Sequence, residues 1–260
     1  MNVTPVERVE RVPPSEKGFE RHSDIQLTFK YAPARDNIDT NLLIFLHGLG
    51  DTALPFFELG KQLQQTLPQT AVLSVQAPMR VPLLEEEAWM WWESFDSLGE
   101  LIQNPNPTNA IRSLQALLIY LTSAPDDGGC GWDPKNLHLF GFAQGGSVLL
   151  ETLIYMRPKE WGSATSVCGP LLSLPTFSPA LTTPLCFVTR LQKALLASSR
   201  ARSSITAVQR AFAHVTHFNF IDTQQEMVHG SEWKDIMTFW SRFWSKKSSW
   251  EREGELYRVS

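Results

Sequence analysis

Two glycine-bearing loops hold the residues of this sequence whose types and spacing could act on a carbonyl group. The loops are HGLGDT (47–52) and GFAQGG (141–146). Each loop follows a strand-like run, the apolar NLLIFL or the mostly apolar NLHLF, so both leave the carboxyl end of a buried strand, where open α/β sheets form their sites. GFAQGG has the glycine pattern of a G-x-S-x-G turn. In such a turn a strand bends sharply into a helix, the central residue is held under strain, and flanking glycines keep Cβ atoms out of the crowded bend. The central serine attacks a carbonyl, backbone N–H groups stabilise the charge that develops on its oxygen, and a histidine takes the proton. Here the central residue is Ala143, and a methyl group cannot attack. Gly141, Gly145 and Gly146 serve the bend whatever occupies position 143, so its geometry can outlast its chemistry.

The elements that must position these loops follow from periodicity. IQLTFKYAP alternates apolar and polar residues, as a half-exposed edge strand does, whereas NLLIFLH reads as a strand buried on both faces. Phe56, Leu59, Leu63 and Leu67 share a helical face, AVLSVQAP is a strand, and Leu114, Leu117, Leu118 and Leu121 mark another helix. NLHLFGF leads into GFAQGG and a helix from about 144 to 156. The strands ATSVCG and PLCFVT, a helix near 205–213, the strand VTHFNFI, and a last helix with Trp233, Ile236, Met237, Trp240 and Trp244 on one face complete the series. Strands alternating with helices predict a doubly wound, mainly parallel α/β sheet with helices on both faces. We expect a polar, flexible leader over 1–23, one domain over 24–245, and a charged C-terminal tail over 246–260.

The chain resembles the phospholipase/carboxylesterase group of α/β-hydrolases that includes the acyl-protein thioesterases. LLIFLHGLGDT is similar to its first-loop motif, HLFGFAQGGSVLLE to its G-F-S-Q-G-G elbow and helix, and EMVHGSEW to the segment bearing its histidine. QAPMRVP and WMWWESFD resemble its next strand and loop and its tryptophan-containing loop. The resemblance spans about residues 25–245 and implies an α/β-hydrolase fold. It implies an oxyanion hole from the N–H groups of Leu49 and Gln144, a general base at His229, and a ligand-binding role for Trp91 and Trp92. It also implies a serine at 143 and an aspartate near 193. The sequence has Ala143 and Lys193 there, with no acidic residue anywhere from Arg190 to Arg210. Loss at two positions favours a lineage that dropped the serine mechanism over an isolated substitution.

Other candidates are weaker. Ser147 lies one turn into the helix and reads as a serine bonded to the preceding turn. Asp222, near the end of VTHFNFI, is an alternative acid for His229 or else a turn residue. His214 and His217 have no partners for a metal site, so neither metal nor cofactor is expected. Trp89, Trp91, Trp92 and Phe95 either wall a groove or pack the core, and Glu85 to Glu87 read as a solvated loop. Three readings of function remain. The first is a family member without serine catalysis that binds an acyl chain, a small ester or an acylated protein. The second is an altered ester or thioester hydrolase using His229 and water. The third is a scaffold that grips a protein partner through the aromatic loop or the tail.

Composition adds exclusions. The 260 residues are 43% hydrophobic and carry a formal net charge of −4, which suits one large core and offers no global attraction to nucleic acid. Three widely spaced cysteines suggest neither a disulfide framework nor a zinc site. No apolar run reaches spanning length and the N-terminus lacks a signal-peptide pattern, so we expect no stable membrane insertion and a cytoplasmic location, with the nucleus as an alternative.

Overall fold

A computed structural model describes residues 3–5, 11–82, 84–192, 199–221, 227–246 and 257–259. In chain order it contains β1 (Val3–Pro5), α1 (Glu16–His22), β2 (Phe29–Ala32), β3 (Asn41–Leu46), α2 (Ala53–Leu63), β4 (Thr70–Val75), β5 (Met79–Arg80), β6 (Trp89–Met90) and α3 (Thr108–Thr122). Then follow β7 (Leu137–Phe142), α4 (Gln144–Tyr155), β8 (Ser163–Val167), β9 (Leu185–Thr189), α5 (Ser199–Ala211), β10 (Val215–Asn219), α6 (Glu232–Trp240) and β11 (Tyr257–Val259).

Seven strands form one sheet in the order β10-β9-β8-β7-β3-β4-β2. All neighbours are parallel except β2, which pairs antiparallel with β4 at the edge. The pleat explains why residues 42–46 of β3 are apolar throughout. Leu42, Ile44 and Leu46 enter the core beneath α3, α4 and α5, whereas Leu43 and Phe45 enter the core shared with α2 and α6. Successive side chains of a strand point to opposite faces, and here both faces carry helices. Burying each such side chain is worth roughly 1.5–3 kcal/mol. The doubly wound, mainly parallel architecture expected from the sequence is therefore observed.

The last helix also behaves as its spacing implies. Trp240 is buried, donates its indole N–H to Thr165 Oγ1 (3.0 Å) and stacks on Trp244. Trp244 in turn covers His138, with ring centroids 4.7 Å apart.

The N-terminal segment differs from the polar leader that its charge and proline content suggested. Within it, α1 is capped by Ser15, whose hydroxyl accepts the Gly18 N–H (3.1 Å), and Phe19 is fully buried against Phe29 and Tyr120. Glu16 Oε1 also accepts the Phe29 N–H (2.9 Å) and Tyr120 Oη accepts the Ser15 N–H (3.2 Å), so an aromatic anchor and hydrogen bonds that charge counting misses hold this seven-residue helix. Arg11 lies over the Trp132 ring at 4.3 Å. The two chain ends also meet, because β1 pairs antiparallel with β11, Val3 opposite Val259. Among the described residues no helix is long and apolar enough to cross a membrane.

Candidate functional site

The GFAQGG segment is a strand–turn–helix bend between β7 and α4. Ala143 sits at the helix N-cap with φ 46° and ψ −115°, a conformation that costs an L-residue about 1–3 kcal/mol. Two hydrogen bonds hold it there: Ala143 N–H donates to Val167 O (2.8 Å), and Ala143 O accepts from Ser147 N–H (3.1 Å). Gly145 is required by contact, since a Cβ there would lie 2.3 Å from Leu46 O and 2.6 Å from His47 O. The bend thus presses against the end of β3, from which the first loop departs. Ala143→Gly should raise stability by about 1 kcal/mol, because relief of the left-handed strain exceeds the entropy that glycine adds to the unfolded chain. Denaturant midpoints check this, and a lower midpoint for the variant would contradict it.

His47 organises the first loop. Its ring is buried; Nδ1 lies 2.7 Å from Gly48 O, while Nε2 accepts the Ala77 N–H (3.0 Å) and lies 3.0 Å from Gln76 Nε2. These partners assign the proton to Nδ1. Burial lowers the His47 pKa from 6.5 to about 4. His138, buried between Ser163 Oγ and Asn41 Oδ1, is lowered to about 3 for the same reason. Both groups are neutral when folded and protonate more readily when unfolded, so the unfolded state binds more protons below pH 6.5. Stability should therefore fall as pH drops from about 6.5 towards 4, and substituting His47 or His138 should flatten that dependence in pH-resolved denaturation.

Leu49 follows, and its N–H makes no hydrogen bond among the described residues. The N–H of Gln144 opens α4 and has no acceptor within the helix. The Gln144 side chain ties the bend to the aromatic loop: Oε1 accepts the Trp91 N–H (3.0 Å) and Nε2 donates to Ser94 Oγ (2.6 Å). Trp91 completes the ring by donating its indole N–H to His47 O (2.8 Å). Trp91 and Trp92, for which the resemblance implies a ligand-binding role, are buried in the core at 1% and 8% exposure. The physical reason is that the Trp91 indole bridges the loop at His47, which requires it to lie inside.

His229 lies just before α6, and its surroundings were not legible in advance. Arg190, the first residue after β9, donates from Nη1 to Glu232 Oε1 (3.0 Å), and from Nη2 to Glu232 Oε2 (2.6 Å) and to Met227 O (2.7 Å). Their side chains are only 6% and 12% exposed. Glu232 Oε2 also accepts the His229 N–H (3.1 Å), and Glu232 Oε1 lies 3.9 Å from His229 Nε2. Burial by itself raises the Glu232 pKa, but the hydrogen bonds from Arg190 and from the His229 backbone more than offset it and hold it below the usual carboxylate range. The Glu232 carboxylate beside His229 is thus ionised and already engaged by a guanidinium. A glutamate three residues after the histidine and an arginine at a strand end were the sequence signals for this pair. Lys193 and Asp222 lie outside the described residues.

The remaining candidates have structural partners. Ser147 is buried and donates to Pro170 O (2.6 Å), on a neighbouring loop and not on its own preceding turn. His217 Nε2 contacts Thr189 Oγ1 (2.9 Å), and no cluster of three metal-ligating side chains occurs among the described residues. A further feature not read from the sequence is Cys168, which has φ 55° and follows β8 where Val167 pairs with Phe142, one residue before Ala143.

A doubly wound sheet whose central strands end in these two glycine loops defines the α/β-hydrolase class. The model of the phospholipase/carboxylesterase family matches residues 33–242, and the chain belongs to that family. It is 40% identical over 234 residues to an uncharacterized hydrolase of Mycosarcoma maydis, covering 89% of this chain and 87% of that protein. It is also 33% identical over 137 residues to an uncharacterized hydrolase of Schizosaccharomyces pombe, covering 50% and 54%. Among solved structures it is similar to the Bacillus cereus carboxylesterase, with TM-score 0.62 and 13% identity over 88% of this chain and 100% of that one. It is similar too to Zea mays acyl-protein thioesterase 2, with TM-score 0.60 and 18% identity over 83% and 98%. At these identities the structural likeness is one of fold.

Proposed function

We propose that this family member has lost the serine mechanism at Ala143 and keeps its two loops as a site for the carbonyl of an acyl or ester ligand. The observation that carries the reading is the strained bend itself: Ala143 retains φ 46° and ψ −115° without a hydroxyl to present. Beside it, the N–H groups of Leu49 and Gln144 are suited to a carbonyl oxygen, because neither has a competing backbone acceptor among the described residues. Beside the proposed base, Arg190 engages the Glu232 carboxylate. Without nucleophile or acid, an oxyanion hole and binding alone leave about 10³- to 10⁴-fold over the water rate. Such a rate suits ligand binding better than efficient turnover.

A fluorophosphonate probe tests this directly. The chain is expected to remain unlabelled, and stoichiometric labelling at one residue would overturn the reading. The second reading, hydrolysis by water with His229 as base, is favoured by the ionised Glu232 beside that ring. It requires that His229→Ala abolish whatever ester turnover is measured, and unchanged turnover excludes it.

A further inference from the structure

We propose that the flap of β5, β6 and the turn over 94–102 is a docking surface for a cationic, amphipathic segment of a partner protein. Of the 27 acidic and 23 basic residues in the chain, six and one fall between positions 79 and 101. The rest of the chain is therefore one basic residue in excess, and the flap holds all of the net negative charge. The acidic residues are Glu85, Glu86, Glu87, Glu93, Asp96 and Glu100; all are exposed, and none is in an ion pair among the described residues. Asp96 has a local task, since its Oδ1 accepts the N–H groups of Leu98 and Glu100. The other five carboxylates accept no such bond among the described residues, and like charges at this density repel one another.

The same flap exposes large apolar side chains. Leu84, Leu98 and Leu101 are 52%, 84% and 61% exposed, and leucines beside carboxylates favour a partner that is apolar on one stripe and positive around it. The surface is preformed. Val81, Ala88 and Met90 make a small core of their own with Leu49 and Phe95 packed on it, and Gln144 clamps the base of the flap through Trp91 and Ser94. A segment docked here therefore sits on the structure that supports Leu49 and Gln144. The sign of the charge selects a basic protein segment over an anionic membrane, which this face repels.

The test uses the full chain and reads binding alone, so it stands whether or not the site turns over. A dye-labelled helical peptide with a leucine stripe and lysines elsewhere is titrated by anisotropy, beside a counterpart with glutamate for lysine. The lysine peptide is expected to bind, more weakly at high salt. Its affinity is expected to drop about tenfold in E85Q/E86Q/E87Q and again in L98S/L101S, with thermal midpoints unchanged because these side chains are exposed. Equal binding of the glutamate peptide, unchanged affinity in both variants, or tighter binding to vesicles rich in anionic lipid would each overturn the proposal.

Discussion

Ala143→Ser should yield a chain that reacts with a fluorophosphonate yet hydrolyses esters and thioesters about 10³- to 10⁴-fold more slowly than the same chain also carrying Lys193→Asp. The serine would stand on a bend already held at φ 46°, so its hydroxyl gains the position without rearrangement. What Lys193 cannot supply is the carboxylate that orients the histidine and stabilises its cation in a triad. In a triad that acid accepts a hydrogen bond from the imidazole and fixes its tautomer, and losing it costs about 10⁴ in turnover. Glu232 is a poor substitute: it lies 3.9 Å from Nε2, beyond hydrogen-bonding reach, and both of its oxygens are held by Arg190. The measurement is kcat/KM for the chain as written, the single variant and the double variant. If Ala143→Ser alone matches the double variant, the acid function is already supplied by another residue.

Removing either member of the Arg190–Glu232 pair should cost about 3 kcal/mol, because the charge left behind loses its bidentate partner in a site from which water is largely excluded. Arg190→Met strands the Glu232 carboxylate, and Glu232→Gln takes from the guanidinium the carboxylate that accepts from both of its Nη atoms. The double variant Arg190→Met/Glu232→Leu should be far less damaging than either single variant, since no charge then remains buried. The folded pKa of Glu232 is lowered, so its contribution is present above the ordinary carboxylate pKa and is lost as pH falls through the folded value. The wild-type minus Glu232→Gln difference in unfolding free energy should accordingly shrink in acid. Equal stability of wild type and both single variants at neutral pH would show that the pair does not anchor the His229 segment.

Much of the scaffold was legible before any coordinates. The unbroken run NLLIFL required a strand covered on both faces, and β3 is buried at every position. The glycines of GFAQGG required a tight bend, and a Cβ at Gly145 would meet the end of β3. The tryptophan spacing of the last helix required one apolar face, and Ile236, Phe239 and Trp240 are buried on it. The polar leader expected over 1–23 contains α1; charge and proline outnumber Phe19 in the sequence, whereas the buried Phe19 ring and the bond from Phe29 N–H to Glu16 Oε1 hold the helix in place. The tryptophans of WMWWESFD could not be assigned, because groove walls and core positions draw on the same residue types.

By itself the sequence determined the layers, the positions of the two loops and the absence of a hydroxyl at position 143, because these depend on periodicity and residue type within short windows. Only the tertiary structure decided that Trp91 bridges His47 from inside the core, that Gln144 clamps the aromatic loop, and that Arg190 reaches Glu232. Those contacts join residues 42 to 53 positions apart. The partner of a hydrogen bond or buried charge is set by which strand ends meet in space, and local sequence does not encode that distance.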